Sequence, residues 1–481
     1  MSTNLHKNFI AGAWVEGVTT GLNLNPSDTN DVIGEYARAD AAQAEQAISA
    51  AFEAQKQWAQ CTAEQRSDAL DRIGTEILSR RDELGALLSR EEGKTLPEGV
   101  AEVVRAGRVF KFFAGEALRL GGEKLPSIRA GVDVEVTREP EGVVGIITPW
   151  NFPIAIPAWK IAPALAFGNA VVFKPADLVP GSAWALSEII ARVGQLPEGT
   201  FNLVMGPGSK VGQTLATSRH VRAITFTGSV QTGRAVGITC MERGAKVQLE
   251  MGGKNPLIIL NDADLEQAVS VAINGCFFST GQRCTGSSRL IVEDGIHDAF
   301  VRAMVQRMAS LKVDHALKAG TDIGPVVSQD QLDQDRHYIA MGIQEGGHLV
   351  AGGELLKRDT PGYYLSPALI TETENAMGIN CEEVFGPVAS VIRVKGYEEA
   401  VETANDTDFG LSSGICTTSL KHATDFKRRS TAGMVMVNVP TAGVDYHAPF
   451  GGRKGSSHGS REQGTYAREF YTSVKTAYTL A

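Results

Sequence analysis

The stretch VVGIITPWNFPIAIPAWKIAPALAFGNAVVFKPAD, residues 143–177, joins two apolar runs through a longer segment rich in Ala, Ile and Pro. The same alternation continues to Glu250 through SAWALSEIIARVG, FNLV, RAITF, GRAVGITCMERG and VQLE. Strands that alternate with helices are typical of a parallel sheet covered by helices. A second region, from about Asn255 to Asn438, alternates in the same way. The sequence therefore predicts an α/β protein with two sheet layers.

Two other kinds of segment flank these layers. Residues from about Asp40 to Leu120 carry Ala, Ile and Leu at three- and four-residue spacing, which predicts helices, and we expect little functional content there. The segments GVDVEVTREPEG (131–142) and FYTSVKTAYTL (470–480) alternate like exposed strands. Exposed strands of this kind invite pairing with another subunit.

Composition excludes several classes of protein. The 481 residues include 46 Lys and Arg against 55 Asp and Glu, a net charge of −9 that gives no basic surface for nucleic acid. The length predicts two or more domains. Six cysteines without a CxxC pair, and no clustered His, indicate reduced thiols and no metal site. No secretory signal and no long apolar run is found, so we expect a cytoplasmic protein without a membrane span.

Polar residues follow two of the predicted strands. In ITPWNFP (147–153) the Asn151 amide is placed to stabilise a developing negative charge, or alternatively to cap the next helix. In VVFKPAD (171–177) Lys174 and Asp177 are placed to bind ribose hydroxyls, or are solvated turn residues.

Two further segments end strands with glycine. In TFTGSVQTG (225–233), Gly228 and Ser229 open a helix whose free amides suit a pyrophosphate, although a glycine pair alone is a weak signal. In VQLEMGGKNP (247–256), Glu250 ends a buried strand, where a carboxylate has a raised pKa and suits a general base. An ion pair between Glu250 and a nearby lysine such as Lys254 is the alternative.

The segment STGQRCTGSS (279–288) places Cys284 on a loop bracketed by glycines. With Arg283 beside it and amides around it, this thiol fits a nucleophile of low pKa. A structural cysteine is the alternative, and spacing alone does not decide between them.

The whole set, with EEVFGPV (382–388), LSSGI (411–415) and APFGGRKGS (448–456), resembles the aldehyde dehydrogenase superfamily. The resemblance implies a Rossmann-like NAD-binding domain (1–122 and 143–252), an α/β catalytic domain (253–452) and a small β oligomerisation arm (123–142 and 453–481). It also implies a homodimer or homotetramer.

The resemblance further implies a role for each catalytic residue. Cys284 is similar to the nucleophile that attacks the aldehyde carbon, and Asn151 to the oxyanion ligand. Glu250 resembles the base that activates water to hydrolyse the thioester, which argues against a coenzyme-A acylating enzyme.

The cofactor site follows from the same resemblance. Residues similar to those that bind NAD are Ile147, Trp150, Lys174, Asp177, Gly228, Ser229, Glu383 and Phe385. Asp177 stands where members that prefer NAD often have Glu, and a carboxylate there repels a 2′-phosphate. We therefore expect NAD as cofactor, with NADP possible.

The substrate is inferred in the same way. Positions similar to those that line the substrate pocket are Phe152, Ile156, Trp159, Phe278, Arg283, Thr285 and Phe450. Trp159 and Phe278 stand where succinate-semialdehyde enzymes typically have arginines. Residues 442–464 most closely resemble the 2,5-dioxopentanoate dehydrogenases of this superfamily. An anionic aldehyde needs a cationic counter-site, for which Arg283, Arg453 and Arg461 are the candidates.

Other functions stay open at this stage. The nearest alternative is a broader dehydrogenase for succinate semialdehyde, glutarate semialdehyde or uncharged aldehydes. A cofactor-independent thiol hydrolase would leave Lys174, Ser229 and Glu383 without a purpose. A non-catalytic relative is disfavoured because the three catalytic positions are all filled.

Overall fold

The computed structural model of the protein describes residues 5–480. The strands, in chain order, are β1 (Leu5–His6), β2 (Asn8–Ile10), β3 (Ala13–Val15), β4 (Thr19–Asn25), β5 (Asp28–Arg38), β6 (Glu123–Pro126), β7 (Val132–Pro140), β8 (Val143–Ile147), β9 (Ala170–Lys174), β10 (Phe201–Leu203), β11 (Val221–Thr227), β12 (Lys246–Glu250), β13 (Asn255–Ile259), β14 (Ser287–Glu293), β15 (His348–Ala351), β16 (Ala368–Thr371), β17 (Val388–Val394), β18 (Ser412–Cys416), β19 (Met434–Val437), β20 (Ser457–His458) and β21 (Thr472–Leu480).

The α-helices lie between these strands. They are α1 (Ala41–Gln60), α2 (Ala63–Ser79), α3 (Arg81–Glu92), α4 (Leu96–Ala117), α5 (Ala155–Ala166), α6 (Pro180–Val193), α7 (Gln213–Thr217), α8 (Val230–Glu242), α9 (Leu265–Phe277), α10 (Asp294–Met308), α11 (Gln329–Gln344), α12 (Gly378–Cys381), α13 (Tyr397–Asn405), α14 (Leu420–Arg429) and α15 (Arg468–Tyr471). The helices expected between Asp40 and Leu120 are therefore present.

The first large sheet has eight strands in the order β20-β12-β11-β8-β9-β10-β2-β3. Its five central strands, β12 to β10, are parallel. From β8 the chain builds outward to β9 and β10 on one side, and later to β11 and β12 on the other. Ligands of open α/β sheets bind at such a switch point, outside the carboxyl ends of the strands. The functional cleft is therefore expected beyond the ends of β8 and β11.

The second large sheet has seven strands in the order β15-β16-β17-β14-β13-β18-β19. Strand β15 pairs antiparallel with β16, and the six strands from β16 to β19 in this order are all parallel. Strands β13 and β18 are buried along their whole length, which explains their unbroken apolar or small-residue sequences. The prediction of an α/β fold with two parallel layers is confirmed.

A small separate sheet has the order β21-β7-β6. Strand β21 pairs antiparallel with β7 from Thr472 opposite Pro140 to Leu480 opposite Val132. Eight of the nine residues of β21 are exposed, and only Thr472 is buried, so both predicted exposed strands are present. Strand β20 lies in the range 453–481 assigned to the arm, but it pairs with β12 of the eight-stranded sheet. Among residues 5–480, no helix has the length and apolarity that crossing a bilayer requires.

Candidate active site

A cleft of about 340 Å³ opens at the switch point between β8 and β11. Residues from both large sheets line it: Pro149, Trp150, Asn151, Ile156, Thr227, Gly228, Ser229, Met251, Gly252, Cys284, Gln331, Gln334, Glu383 and Phe385. Eight residues assigned to the site from sequence thus share one cavity, although they are spread over more than 230 positions of the chain. These eight are Trp150, Asn151, Ile156, Gly228, Ser229, Cys284, Glu383 and Phe385.

Cys284 lies on the loop between α9 and β14 and is half-buried. Burial raises the pKa of its thiol to about 12, and the negative charges of Glu383 and Glu250 add to this effect. Hydrogen bonds from the backbone amides of Thr285 and Cys284 itself act in the opposite direction. The expectation of a low pKa is therefore wrong, because the carboxylates and the apolar surroundings outweigh the amides.

Arg283 does not assist this thiol directly. Its guanidinium pairs with Glu98 over 3.1 Å and faces the oxygens of Asn274. Glu98 also accepts hydrogen bonds from the backbone and hydroxyl of Ser279, the first residue of STGQRC. The pair therefore anchors the loop that carries Cys284.

Asn151 is buried and directs its amide at the same loop. Its Nδ2 donates to the backbone oxygen of Gln282 over 2.9 Å. Helix α5 begins later, and its N-cap residue Ile154 has no side-chain cap. Helix capping therefore does not account for Asn151, whereas a donor beside Cys284 fits an oxyanion ligand.

Two buried charged side chains, Lys94 and Glu102, hold the main chain around Asn151. Lys94 Nζ donates to the Asn151 main-chain oxygen over 2.7 Å and pairs with Glu102 over 2.8 Å. Glu102 in turn accepts hydrogen bonds from the main-chain amides of Ile154 and Ala155. The expectation that residues 40–120 have little functional content is therefore wrong, because side chains from this helical region reach the site.

Glu250 ends β12 and is buried. Its Oε2 accepts a hydrogen bond of 2.5 Å from Ser457 Oγ, and its Oε1 has no partner among the described residues. Burial raises the pKa of Glu250 well above its usual value, and the nearby charge of Glu462 raises it further. The pairing with Lys254 that sequence left open does not form, since no ion pair joins the two. A buried carboxyl of high pKa suits proton transfer.

Glu383 lies between the cleft and the loop after β12. Its Oε1 accepts a hydrogen bond of 3.0 Å from the Gly253 amide. Burial raises the Glu383 pKa to about 7, against the lowering effects of that hydrogen bond and of Lys254. Phe385, with a left-handed backbone (φ 62°), meets Trp150 edge to face at 5.4 Å. These two rings form an apolar wall of the cleft.

Ser229 caps the N-terminus of α8, where its hydroxyl accepts a hydrogen bond from the Thr232 amide. Gly228 precedes it at the end of β11. Thr227 Oγ1 also lines the cleft, and it is buried without a partner among residues 5–480. A helix terminus with open amides and a free hydroxyl is a binding place for an anion.

Asp177 lines a second cavity of about 150 Å³ after β9, and Lys174, the last residue of β9, lies next to Asp177. Lys174 Nζ donates to the Pro175 carbonyl over 2.8 Å and is 3.5 Å from Asp177 Oδ1. Burial lowers the Lys174 pKa, and the charge of Asp177 opposes this. Asp177 also pairs with Arg38 over 2.9 Å. Ile147 lies opposite Lys174 in the register of β8 and β9, so all these residues share one edge of the sheet.

The residues assigned to the substrate pocket fall into two groups. Phe152 lies under Lys94, whose Nζ is 3.9 Å from the ring centroid, and Trp159 packs on Phe450 at 5.6 Å. Phe450 and Cys284 belong to one apolar cluster. In the other group, Phe278 packs into the core beside α9, and Thr285 uses its carbonyl to accept from Ser412 and Thr441.

The remaining arginine candidates differ in environment. Arg461 donates to the Gly452 carbonyl and lowers the pKa of Glu250 by its charge, whereas burial and Glu462 act in the opposite direction. Arg453 is exposed. Neither side chain forms an ion pair among the described residues.

Sequence reasoning missed several residues that line or support the cleft. Gln331 and Gln334 come from α11, and both donate to the Val384 carbonyl, between Glu383 and Phe385. They follow no recognisable motif, and only their spacing on one helix face signals a shared role. Lys94 and Glu102 were also missed, although buried charges in a helical region are a usable signal. Within residues 5–480, no cluster of His, Cys, Asp and Glu would hold a metal ion.

Comparison with known proteins agrees with this geometry. The family model described as the aldehyde dehydrogenase family matches residues 14–477. An α-ketoglutaric semialdehyde dehydrogenase of Bacillus subtilis is 44% identical over 99% of this chain and 98% of its own length. An α-ketoglutarate semialdehyde dehydrogenase of Haloferax volcanii is 40% identical over 99% of both chains. A crystal structure of Staphylococcus aureus betaine aldehyde dehydrogenase in complex with NAD⁺ matches with a TM-score of 0.96 and 35% identity, over 99% of this chain and 95% of that one. The chain belongs to the aldehyde dehydrogenase family.

Proposed function

We propose that the protein oxidises 2,5-dioxopentanoate, the semialdehyde of α-ketoglutarate, to 2-oxoglutarate with NAD. The observation that carries this proposal is the meeting of Cys284, Asn151, Glu383 and Ser229 in one cleft at the switch point of the eight-stranded sheet. The two semialdehyde dehydrogenases that match nearly the full length support the choice of substrate.

The residues present fit a dinucleotide. The buried Thr227 hydroxyl lacks a partner where the helix α8 begins, which suits a phosphate oxygen. Gly252 leaves room that the Glu383 carboxylate fills, since a Cβ there would collide with it. Lys174 and Asp177 would hold one ribose, Ser229 and Gly228 the diphosphate, and Glu383 the second ribose. When bound, NAD supplies the acceptor for a hydride ion.

The reaction begins at Cys284. Its thiolate attacks the aldehyde carbon, and the oxygen of the resulting thiohemiacetal is stabilised by Asn151 Nδ2 and the Cys284 amide. Because burial raises the Cys284 pKa to about 12, the thiolate is a small fraction of the enzyme at neutral pH, and the thiol proton passes to solvent water as the thiolate forms. Loss of hydride from the bound carbon leaves a thioester on the sulfur.

Hydrolysis of the thioester needs an activated water, and Glu250 is the group for this step. Its high pKa lets it take a proton from water and later release it. The free Oε1 of Glu250 is the atom that receives this proton. The product acid then leaves, and the thiol is restored.

The exposed strands β7 and β21 are the surface we propose for pairing with other copies of the chain. Nine residues of β21 pair with β7 on one edge only, so its other edge is open to a further strand. We also propose a cytoplasmic location, where the free thiols would stay reduced.

The test is a rate measurement with NAD and a panel of aldehydes, which follows NADH absorbance. We expect 2,5-dioxopentanoate to give the highest kcat/KM, ahead of succinate semialdehyde, glutarate semialdehyde and pentanal. A higher kcat/KM for pentanal would replace the proposal with a general aldehyde dehydrogenase. Release of acid from an ester without NAD, and no NADH from any aldehyde, would replace it with a thiol hydrolase.

A further inference from the structure

Three buried N–H groups without acceptors among the described residues belong to Arg105 and to two side chains that lie against it. They are Nε of Arg105, Nε1 of Trp159 and Nε2 of Gln463. Arg105 Nη2 donates to Gln463 Oε1 over 3.0 Å. Arg105 Cζ lies 5.5 Å from the centroid of the Trp159 ring. Because buried donors in folded proteins nearly always have a partner, this group marks a place where an acceptor belongs.

The positive charge of this group is on Arg105, and no carboxylate of the described residues forms an ion pair with it. Among residues 5–480, Arg105 makes no ion pair, whereas Arg283 is paired with Glu98. Burial lowers the pKa of Arg105, and the charges of Glu102, Asp445 and Cys284 oppose that effect. Glu102 is already paired with Lys94, and Asp445 is exposed to solvent. The guanidinium therefore remains available to an anion.

The group lies near Cys284 but does not line the cleft that contains the proposed cofactor residues. Trp159 packs on Phe450, which shares an apolar cluster with Cys284. The charge of Cys284 reaches Arg105, so the two side chains are near neighbours. None of Arg105, Trp159 and Gln463 lines the cleft with Gly228 and Glu383.

We propose that Arg105, assisted by Trp159 and Gln463, binds the distal carboxylate of the aldehyde substrate. A carboxylate offers the acceptors that the three donors lack, and a guanidinium binds it through strong charge-assisted hydrogen bonds. The rings of Trp159 and Phe450 pack on each other, and Phe450 shares an apolar cluster with Cys284; an ionic interaction is stronger in such apolar surroundings than in water. The inference rests on the proposed function, since it assigns the residue that makes that reaction selective for an aldehyde acid.

This site replaces the three arginines considered from sequence. Arg283 is held by Glu98, Arg461 donates to a backbone carbonyl beside Glu250, and Arg453 is exposed. Arg105 lies within the helical region from which sequence reasoning expected little function.

The test compares two aldehydes of equal length, 5-oxopentanoate and pentanal, on Arg105→Leu. We expect kcat/KM for 5-oxopentanoate to fall about 100-fold and that for pentanal to change less than about 3-fold. Arg105→Lys should recover part of the loss because it restores the charge. Arg108→Leu is the matched control, since Arg108 is exposed on the same helix, and it should change neither value. Equal losses with both aldehydes would show a structural role and overturn the proposal.

A binding measurement separates this inference from the proposed function. Glutarate, which carries no aldehyde, should slow the alkylation of Cys284 by iodoacetamide in the unmodified protein but not in Arg105→Leu. Trp159→Phe, which keeps the ring and removes Nε1, should weaken this protection several-fold. Equal protection in Arg105→Leu overturns the carboxylate site. If no aldehyde yields NADH while Arg105-dependent protection persists, the proposed function fails and the anion site stands.

Discussion

Lys94 Nζ donates a hydrogen bond to the main-chain oxygen of Asn151 over 2.7 Å. The same ammonium group pairs with Glu102 over 2.8 Å, and Glu102 accepts from the amides of Ile154 and Ala155. One buried ion pair therefore holds the main chain at Asn151 and again at Ile154 and Ala155, just after the amide that is proposed to stabilise the oxyanion. Because the backbone orients the Asn151 side chain, we expect Lys94 to act as a positioning residue for the proposed reaction.

Replacing Lys94 by Met should therefore lower kcat about 100-fold, the effect expected for a misplaced oxyanion donor, and leave KM for NAD unchanged. The variant also leaves Glu102 as an unpaired buried charge, which costs about 3–5 kcal/mol of stability. The double variant Lys94→Met with Glu102→Gln removes that charge, so it should recover thermal stability but not kcat. Full recovery of kcat in the double variant would show that Lys94 acts only on stability. Steady-state kinetics and thermal unfolding measure both quantities.

Glu383 should control the reactivity of Cys284 in a pH-dependent way. Its pKa is about 7, so above that pH its negative charge raises the Cys284 pKa, after the larger effect of burial. Glu383→Gln removes the charge, and Cys284 should be alkylated several-fold faster at pH 8.5 than in the unmodified protein. At pH 6, where Glu383 is mostly protonated, the two rates should approach each other. Mass spectrometry of the peptide with Cys284 distinguishes it from the exposed Cys381. A rate difference that is the same at both pH values would contradict this coupling.

The fold was largely predictable because the sheet strands are short apolar runs that the chain buries completely. The region expected to alternate from about Asn255 to Asn438 does so: helices α9 (Leu265–Phe277) and α13 (Tyr397–Asn405), for example, lie between its strands. The strand-end residues were found for the same reason: parallel strands bring their carboxyl ends to one edge, so Glu250 and Thr227 lie opposite each other in register.

Other features of the site could not be predicted from local patterns. Arg105 and Gln463 are 358 positions apart, and only the packing of α4 against the C-terminal segment brings them together. The Cys284 pKa was misjudged because Arg283 lies next to it in sequence but points at Glu98 in space. Adjacency in sequence therefore does not show that the Arg283 charge acts on the Cys284 thiol.

Asp177 and Arg38 should set the choice between NAD and NADP. They form an ion pair of 2.9 Å, and Asp177 Oδ1 is 3.5 Å from Nζ of Lys174, the residue proposed to bind the adenosine ribose. Asp177→Ser removes the carboxylate that repels a 2′-phosphate and frees the Arg38 guanidinium to bind it. We expect the ratio of kcat/KM for NADP to that for NAD to rise about 10-fold or more. Adding Arg38→Ser should abolish the gain, and a ratio unchanged by Asp177→Ser would contradict the role of this pair.

Glu250 and Glu462 should act on the hydrolysis of the thioester. Glu250→Gln should abolish turnover but keep one equivalent of NADH per site, because acylation does not need this base. Burial and the charge of Glu462 both raise the Glu250 pKa, so Glu462→Gln should move the rise of kcat with pH to lower pH. Rapid-mixing and pH-rate measurements test the two effects. A lost NADH burst in Glu250→Gln would place Glu250 in acylation instead.

Asp335 should make the free energy of unfolding of the protein depend on pH. It is fully buried on α11, and its carboxyl fills the space beside Gly386, where a Cβ would collide with it. Gln331 Nε2 donates to its Oδ1 over 2.8 Å, but Oδ2 has no partner among the described residues. Burial raises its pKa to about 8, and the hydrogen bond from Gln331 opposes this only in part. The folded protein therefore favours the protonated form.

Because the folded protein favours the protonated Asp335 carboxyl, its stability should fall as the pH rises. Between the unfolded value near 4 and about 8, the folded state binds the proton more tightly, so this group's contribution to stability is present at low pH and is lost as the pH rises. Asp335→Asn keeps the acceptor for Gln331 and removes the charge, so it should be more stable than the unmodified protein at pH 9, by about 2 kcal/mol. At pH 5 the difference should be much smaller, because most of the loss falls between pH 5 and 8. Asp333→Asn, an exposed change on the same helix, is the control and should alter neither value. Denaturant unfolding at the two pH values measures this, and an equal free-energy difference at both would mean that Asp335 does not titrate in this range.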